Sequence, residues 1–220
     1  PDVGEQLMLE VARATVAVAV MAVALRFPVE GFRRFLRPLA ILVLLVLPGM
    51  AAVGAVLAMV VLQLPAAQAW LLGACLCPTD PVLASSVVTG APAEQDLPGD
   101  LRRLLSWESG ANDGLALPLV LLGVALVDDG SIGTWAVDAV TQVGIGLAVG
   151  LLAGTVVGWL LARRDQAGDM EPSSFLVTTL FLVAAVLGVS RLVDVDGILA
   201  VFAAGLAYNA RISGAERAAD

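Results

Sequence analysis

Three carboxylates lie in stretches of this chain that are otherwise apolar enough to cross a bilayer. Asp80 stands in the sequence Cys-Pro-Thr-Asp-Pro, and Glu108 and Asp113 stand further along the chain in Glu-Ser-Gly-Ala-Asn-Asp-Gly. An ionisable group at membrane depth is costly, so it is expected to face a protein cavity or water, where it can bind ions or protons. These residues therefore predict a site that handles cations and protons.

The first of these stretches, 69–88, predicts a helix that is interrupted at mid-depth. Neither the part before Pro78 nor the part after Pro81 can span a hydrocarbon core of about 30 Å at about 1.5 Å per residue, but joined they make one crossing. Proline breaks a helix because it removes a backbone donor and crowds the preceding turn. The break frees backbone groups, so Thr79 can offer its carbonyl and hydroxyl to a cation and Asp80 can cap the second half-helix.

The second stretch, 104–127, predicts an unbroken helix beside the interrupted one. Asn-Asp-Gly is a turn signal out of context, but a turn there would leave too few residues after it to cross a membrane. In a helix, Ser109 and Asp113 share one face, and Glu108 and Asn112 share the adjacent face. The motif thus predicts a polar arc on one side of the helix.

The composition places the whole chain in a membrane. Of its 220 residues, 59% are hydrophobic and 15% are charged, and the mean hydropathy is +0.92. Long apolar runs favour spanning helices over a barrel, so we predict an all-α membrane protein with about seven transmembrane helices, one of them discontinuous, in a single domain over 1–220. The predicted helices A to G cover 7–27, 39–62, 69–88, 104–127, 132–161, 174–189 and 197–210.

Arginines are concentrated in alternate predicted loops. They follow helices A, C, E and G, whereas the loops after B and D have none and the loop after F has only Arg191. Positive residues favour the cytoplasmic side, so this alternation supports the predicted spans and places the visible N-terminus outside. The arginines of the first group are Arg26, Arg33, Arg34, Arg37, Arg102, Arg103, Arg163, Arg164, Arg211 and Arg217.

The composition also excludes several kinds of chemistry. The sequence has no histidine, which removes histidine metal sites, histidine-activated nucleophiles and imidazole proton relays. Cys75 and Cys77 have no second pair to complete a zinc site and are predicted to be packing residues. The net charge of −8 implies no nucleic-acid partner. Acid–base work therefore falls to carboxylates, and we expect no cofactor.

Helix E carries a stripe of glycines at a spacing of four residues, which lets two helix backbones approach closely. The stripe favours packing within the chain over a contact between two copies, although we expect the protein to form a homodimer. The chain begins with Pro1 and ends just after a predicted span, so we also expect it to be part of a longer protein. The glycines concerned are Gly146, Gly150, Gly154 and Gly158.

Thr-Asp-Pro in one predicted span, followed by Glu-Ser-x-x-Asn-Asp in the next, resembles the monovalent cation:proton antiporters of the sodium/hydrogen exchanger family, in particular their prokaryotic NhaP-like branch. The run Gly-Ile-Leu-Ala-Val-Phe-Ala-Ala-Gly-Leu at 197–206 resembles a later span of that family. The similarity covers essentially the whole chain. It implies the first half of an inverted-repeat antiporter fold in a bacterial or archaeal inner membrane.

The resemblance also implies roles for individual residues. It makes Asp113 the carboxylate that exchanges cation and proton, Asn112 its polar neighbour, and Glu108 a structural residue paired with an arginine of a later helix. Pro78 and Pro81 support the break. The substrates implied are H⁺ and Na⁺, or K⁺ or Li⁺. Because position 112 is Asn, Asp113 is left as the single exchanging carboxylate of the pair, so we expect one-for-one exchange without net charge. The implied cation ligands are Asp113, Asp80, Thr79 and Ser109.

Two other functions fit part of the pattern. A passive cation channel also uses carboxylates and broken helices, and the residues leave it open. An intramembrane aspartyl protease places two aspartates on adjacent spans, but it is expected to have Tyr-Asp and Gly-x-Gly-Asp surroundings, whereas this sequence has Thr-Asp-Pro and Asn-Asp-Gly. The sequence therefore favours a transporter over an enzyme.

Overall fold

The computed structural model describes residues 3–26, 29, 32–128, 131–166 and 172–219, and all the regular elements in these ranges are helical. Within them, five helices are long and apolar enough to cross a membrane, and two shorter apolar helices, Ala66–Leu76 and Gly197–Ile212, accompany them. The predicted all-α membrane class is confirmed. The five long helices are Val3–Arg26, Phe32–Val61, Gly99–Val127, Gly133–Arg163 and Phe175–Leu192.

The chain divides into two compact units, which are described separately. Unit 1 combines Pro1–Glu30 with Ile145–Asp220, and unit 2 is Gly31–Gly144. All residues of the predicted ion site belong to unit 2. The single domain expected over 1–220 stays a prediction.

Unit 1 is built around its last helix. Its helices are α1 (Val3–Arg26), α10 (Pro172–Leu192), α11 (Gly197–Ala219) and the part of α9 (Ile132–Gln166) that follows residue 144. Apolar side chains of α1, α10 and α11 form one buried cluster. Because these helices are apolar on most sides, small residues decide where backbones can approach. The fully buried members of the cluster include Met21, Val186, Val201 and Tyr208.

The glycine stripe of α9 packs inside unit 1. A methyl group on Gly150 would overlap the Ala200 carbonyl oxygen, and one on Gly154 would overlap that of Ala204. A methyl group on Gly158 would lie 3.1 Å from the Tyr208 carbonyl oxygen. These glycines therefore bring α9 against the backbone of α11, which confirms packing within the chain. The homodimer stays a prediction.

Unit 2 begins with one long helical segment. It consists of α2 (Phe32–Ile41), a π-helical turn (Leu42–Val46) and α3 (Leu47–Val61). The segment starts before residue 39, where helix B was expected to begin. The π turn ends just before Pro48, because proline cannot donate to the preceding turn and its ring crowds it. The segment is therefore continuous, with a widened turn before Pro48.

The rest of unit 2 is a series of helices that surround an interrupted span. They are α4 (Ala66–Leu76), α5 (Pro81–Val88), α6 (Ala91–Asp96), α7 (Gly99–Leu115) and α8 (Leu117–Val127). The short α6 was not expected from the sequence. The joint between α7 and α8 at Ala116 was not expected either, and it precedes a proline at position 118 in the first turn of α8.

Two contacts hold α4, the first half of the interrupted span. Gly73 lies so close to α3 that a methyl group on it would overlap the Ala51 carbonyl oxygen. On another side, the indole N–H of Trp70 donates to the carbonyl oxygen of Leu119 at 3.0 Å. The contact of α4 with α3 and α8 fixes where its end, and hence the break, must lie.

Candidate ion-binding site

The interrupted span is broken where the prolines predicted it. Helix α4 ends at Leu76 and α5 begins at Pro81, so residues 77–80 are not helical. At the end of α4, the thiol of Cys77 is buried and donates to the Ala74 carbonyl oxygen at 3.3 Å. This agrees with the packing role predicted for Cys77. The predicted discontinuous helix is confirmed, and the backbone of Thr79 is released from any helical hydrogen-bond ladder.

Asp80 caps the second half of this span. Its carboxylate accepts a hydrogen bond from the Leu83 N–H at 3.0 Å, and its carbonyl oxygen accepts one from the Ala84 N–H at 2.8 Å. This is the geometry of an N-cap aspartate, and it confirms the capping role predicted for Asp80. The capping bond also fixes the carboxylate beside the break.

Helix α7 presents buried polar side chains, which is unusual for a span. The exposed fraction is 0% for Ser106, 1% for Ser109 and 0% for Asn112. Burial of polar groups is costly without hydrogen bonds, so these residues must find partners in the protein. Ser109 and Asn112 lie one turn apart and both meet the break through Thr79.

Three hydrogen bonds join α7 to Thr79, and a fourth links two of the α7 side chains involved. The Asn112 amide donates to the Thr79 hydroxyl at 2.6 Å and to the Glu108 carboxylate at 2.9 Å. The Thr79 hydroxyl donates to the other Glu108 oxygen at 3.4 Å. The Ser109 hydroxyl donates to the Thr79 carbonyl oxygen at 3.2 Å. The break is therefore held by side chains of the neighbouring helix and not by its own backbone.

Glu108 has a different set of contacts from the one the resemblance implied. In the part of the chain that the structure describes, its two oxygens accept from Thr79 and Asn112. The arginine of a later helix, expected as its partner, is not among these contacts and stays a prediction. Glu108 therefore belongs to the network that fixes the break.

Asp113 follows Asn112 on α7 and is half-buried. Its position one turn after Ser109 puts the two residues on the same side of the helix, as the spacing predicted. The structure thus brings Thr79, Ser109 and Asn112 into direct contact, with Asp80 and Asp113 next to them along the chain. The assignment of all these residues as cation ligands stays a prediction.

An aromatic contact that the sequence did not predict positions the middle of α7. Trp107, with 0% exposure, receives Phe32 and Phe35 edge-on, with ring centroids at 5.0 and 5.2 Å. Offset and edge-on aromatic pairs stabilise such contacts beyond the area that they bury. The only sequence signal was a tryptophan directly before Glu108. The contact fixes the rotation of α7 that points Glu108 and Ser109 at the break.

Residues 8–218 match the sequence profile of the family described as "Sodium/hydrogen exchanger, transmembrane". The chain belongs to the sodium/hydrogen exchanger family. Together with the long apolar helices, this membership shows a multi-pass membrane protein. The motifs that carried the resemblance, including the break at Thr79-Asp80 and the polar arc of α7, lie inside the matched range.

Individual relatives of this exchanger-family chain carry antiporter or exchanger names. The chain is 33% identical over 217 residues to "Na(+)/H(+) antiporter 2" of Zygosaccharomyces rouxii, covering 93% of this chain and 26% of that protein. It is 28% identical over 207 residues to "Probable Na(+)/H(+) antiporter C3A11.09" of Schizosaccharomyces pombe, covering 91% and 27%. It is 32% identical over 167 residues to "Uncharacterized Na(+)/H(+) exchanger YjcE" of Escherichia coli, covering 74% and 29%.

The chain therefore spans only about a quarter of the length of the first two relatives, as the covered shares of 26% and 27% state. The preference for a transporter over an enzyme is therefore a proposal for the complete protein. The prokaryotic branch expected from the motifs is not established by these relatives, since the first two are fungal.

Proposed function

We propose that the complete protein is a secondary active transporter that exchanges Na⁺, or another monovalent cation, for H⁺ across a membrane. The observation that carries the proposal is the broken span in unit 2, whose Thr79 is bonded through both its hydroxyl and its carbonyl oxygen to α7. The antiporter names of the relatives support the same activity.

The proposed cation ligands are all oxygen atoms, which suits an alkali cation. They are the carboxylates of Asp80 and Asp113, the hydroxyl of Ser109 and the carbonyl oxygen of Thr79. In the structure the Ser109 hydroxyl points its hydrogen at the Thr79 carbonyl oxygen. On cation binding, this bond would open and both oxygens would turn to the ion, while Asn112 keeps the Thr79 hydroxyl in place.

Exchange follows from competition at Asp113. A carboxylate in a space of low dielectric is stabilised either by a proton or by a bound cation, and the two exclude each other. If the site changes access only when Asp113 is neutralised by one of them, each passage carries one species and each return carries the other. Glu108 is already engaged by Thr79 and Asn112, so it acts as a positioning residue.

The finer assignments are parts of the same proposal. The Thr-Asp-Pro and Asn-Asp motifs support membership of the prokaryotic NhaP-like branch, and with it a bacterial or archaeal inner membrane. A homodimer and the first half of an inverted-repeat fold are proposed for the complete protein on the resemblance alone. Electroneutral exchange is proposed because position 112 is an asparagine, which leaves Asp113 as the single exchanging carboxylate of the pair.

The test is Asp113→Asn in the complete protein, reconstituted in vesicles. The amide can neither release a proton nor neutralise a cation, so Na⁺-driven proton flux should fall to the level of empty vesicles. Asp128→Asn is the matched control, because Asp128 is an exposed aspartate at the end of the same spanning segment. The control should keep the wild-type rate.

Two results would contradict the proposal. Full exchange in Asp113→Asn would remove Asp113 from its role. Sodium conduction through the wild-type protein without any coupled proton movement would favour the passive cation channel.

A further inference from the structure

Helix α2 is docked against α7 in a defined orientation. The edge-on contacts of Phe32 and Phe35 with Trp107 hold one side of α2 inward. Phe35 is 6% exposed, so this side is buried. Because a helix turns by about 100° per residue, the residues between and after these phenylalanines point to other sides.

The three arginines of α2 fall into two classes. Arg34 forms an ion pair with Asp100 and places its guanidinium 4.7 Å above the Phe35 ring. Arg33 and Arg37 are exposed and, among the residues that the structure describes, they have no carboxylate within ion-pairing distance. They are four residues apart and so lie side by side on one face of α2.

Two carboxylates of unit 2 that the structure describes form ion pairs with other arginines. Asp100 is taken by Arg34, and Glu94 lies 3.6 Å from Arg102. Within the described part of the chain, the face with Arg33 and Arg37 therefore carries two positive charges that no ion pair compensates.

The same helical segment becomes apolar within two turns. Ile41 is 50% exposed, Leu44 is 73% exposed and Leu45 is 72% exposed. The segment Phe32–Val61 is long and apolar enough to cross a membrane. Its outer face thus passes from two guanidinium groups to aliphatic side chains, in the order in which a phospholipid passes from phosphate to acyl chain.

We propose that Arg33 and Arg37 bind the headgroup of an acidic phospholipid whose acyl chains lie along Ile41, Leu44 and Leu45. Guanidinium groups bind phosphate oxygens through paired hydrogen bonds, and basic residues at a membrane surface attract anionic lipid. An acidic protein segment would match the two charges but would leave the aliphatic half of the face exposed. A phospholipid matches both halves.

The experiment compares lipid binding by variants of the complete protein. The purified protein in detergent is mixed with phosphatidylglycerol or with phosphatidylcholine, and the retained lipid is counted by native mass spectrometry. The wild type should retain phosphatidylglycerol several-fold more than phosphatidylcholine. The double variant Arg33→Gln with Arg37→Gln should lose this preference, and Arg33→Lys with Arg37→Lys should keep part of it because the charge remains.

The matched control is Arg163→Gln. Arg163 is also an exposed arginine of a spanning helix, but its guanidinium lies 3.8 Å above the Trp159 ring. This variant should retain phosphatidylglycerol like the wild type. Thermal melting of each variant verifies that the comparison is made between folded proteins.

The proposal is overturned if the double glutamine variant retains as much phosphatidylglycerol as the wild type. It is also overturned if Arg163→Gln loses as much lipid as the double variant, since the effect would then be one of total charge. Equal retention of the two lipids by the wild type would point instead to a protein segment on this face.

Discussion

At the scale of the residue, Asn112 connects the parts of the candidate site. Its amide nitrogen donates both to Thr79, in the break, and to Glu108, one turn earlier on its own helix. Because this asparagine has no exposure, its amide N–H groups depend on these two bonds in place of bonds with water. One amide therefore couples the conformation of the break to that of the glutamate.

Glu108→Gln should reduce stability more than ion selectivity. The side chain accepts from two neighbours, and a neutral amide would weaken one bond and direct its own hydrogens at another donor, which costs about 1.5–3 kcal/mol. The midpoint of thermal unfolding in detergent should fall, whereas the preference between Na⁺ and Li⁺ should stay the same.

Glu94→Gln is the control for this variant. Glu94 is 64% exposed at its side chain and lies in a surface ion pair, which contributes about 0–1 kcal/mol. An unchanged melting temperature of Glu108→Gln, together with an altered ion preference, would make Glu108 a cation ligand.

Asp196 is a residue whose ionisation should affect folding. It lies between α10 and α11, outside the spanning segments, and its carboxylate accepts from the Ile198 N–H at 2.9 Å. Burial raises the pKa of Asp196 to about 6, although the backbone bonds and the charge of Arg13 act in the opposite direction. The folded protein thus holds a proton that the unfolded chain releases at lower pH.

The sign of the pH dependence follows from this shift. A pKa of about 6 in the folded state, against 3.8 for the ordinary side chain, contributes stability that is fully present below pH 3.8 and is lost as the pH rises through about 6. The loss should amount to about 3 kcal/mol. Asp196→Asn cannot ionise, so above pH 6 it should melt at a higher temperature than the wild type, and the difference should shrink towards pH 4.

Asp194→Asn serves as the control for the pH profile. Asp194 is an exposed aspartate of the same turn with φ of 54°, a conformation that asparagine adopts readily. Its profile should keep the wild-type slope. Equal slopes for Asp196→Asn and the wild type would show that the proton is held elsewhere.

At the scale of the element, prolines decide where the helices of unit 2 are irregular, and packing decides what each irregularity becomes. Pro48 follows a π turn inside a continuous segment, whereas Pro78 lies in a complete break. The difference has a physical reason in the neighbours. Side chains of α7 donate hydrogen bonds to the carbonyl and hydroxyl oxygens of Thr79. The chain at Thr79 therefore does not depend on the backbone hydrogen bonds of a helix.

Gly73→Ala should destabilise unit 2. A methyl group at Gly73 would overlap the Ala51 carbonyl oxygen and lie 2.7 Å from the Ala55 nitrogen, both parts of the α3 backbone. Backbone atoms cannot move aside like a flexible side chain, so the helices must separate, at a cost of about 1–3 kcal/mol. Thermal melting measures the loss, and the exchange rate should fall as well because α4 carries the break.

The control is Gly49→Ala, in the helix that Gly73 contacts. A methyl group at Gly49 would meet nothing within 4 Å, and alanine favours a helix over glycine. This variant should melt at the wild-type temperature or above it. The same loss in both variants would mean that helix propensity, and not the close approach of α3 and α4, controls stability.

The sequence predicted those features that depend on composition and local spacing. The apolar runs predicted the spans, Pro78 and Pro81 predicted the break, and the spacing of Ser109 and Asp113 predicted a common face of α7. The bond between Asn112 and Thr79 could not be predicted, because spacing tells which residues share a face but not which face of another helix they meet. The sequence alone offers no geometry for such a contact.

Two elements were not predicted for separate reasons. The start of α2 is rich in arginine, which predicts a loop, but Phe32 and Phe35 anchor it to Trp107 as a helix. This is a case in which tertiary contact overrides a local signal. Helix α6 (Ala91–Asp96) is too short to show a hydrophobic period.

At the scale of the whole molecule, the two units differ in whether they contain residues of the proposed cation site. Unit 2 contains every residue proposed to bind the cation, and its interior includes buried polar groups. Unit 1 packs α1, α9, α10 and α11 through small residues and a mainly apolar cluster. The proposed site therefore depends on the packing of one unit, so variants in unit 2 should affect transport more than equally destabilising variants in unit 1.

The number of charges moved in one cycle is a property of the complete protein, and position 112 determines what we expect. Because this position holds an asparagine, we expect Asp113 to be the single exchanging carboxylate of the pair, neutralised by one proton or by one Na⁺. One-for-one exchange moves no net charge, so the membrane potential should not drive it. A cycle that moved one net elementary charge would gain or lose about 2.3 kcal/mol per 100 mV. In vesicles whose potential is clamped with potassium and valinomycin, with sodium as the substrate, the initial rate should therefore be nearly the same at every imposed voltage.

A rate that rises several-fold with voltage would contradict this expectation and would assign a second transported proton to another carboxylate, either Asp80 or Glu108. Repeating the measurement with Asp80→Asn and with Glu108→Gln would then identify the carboxylate, because only the variant that lacks the second proton site should lose the dependence on voltage.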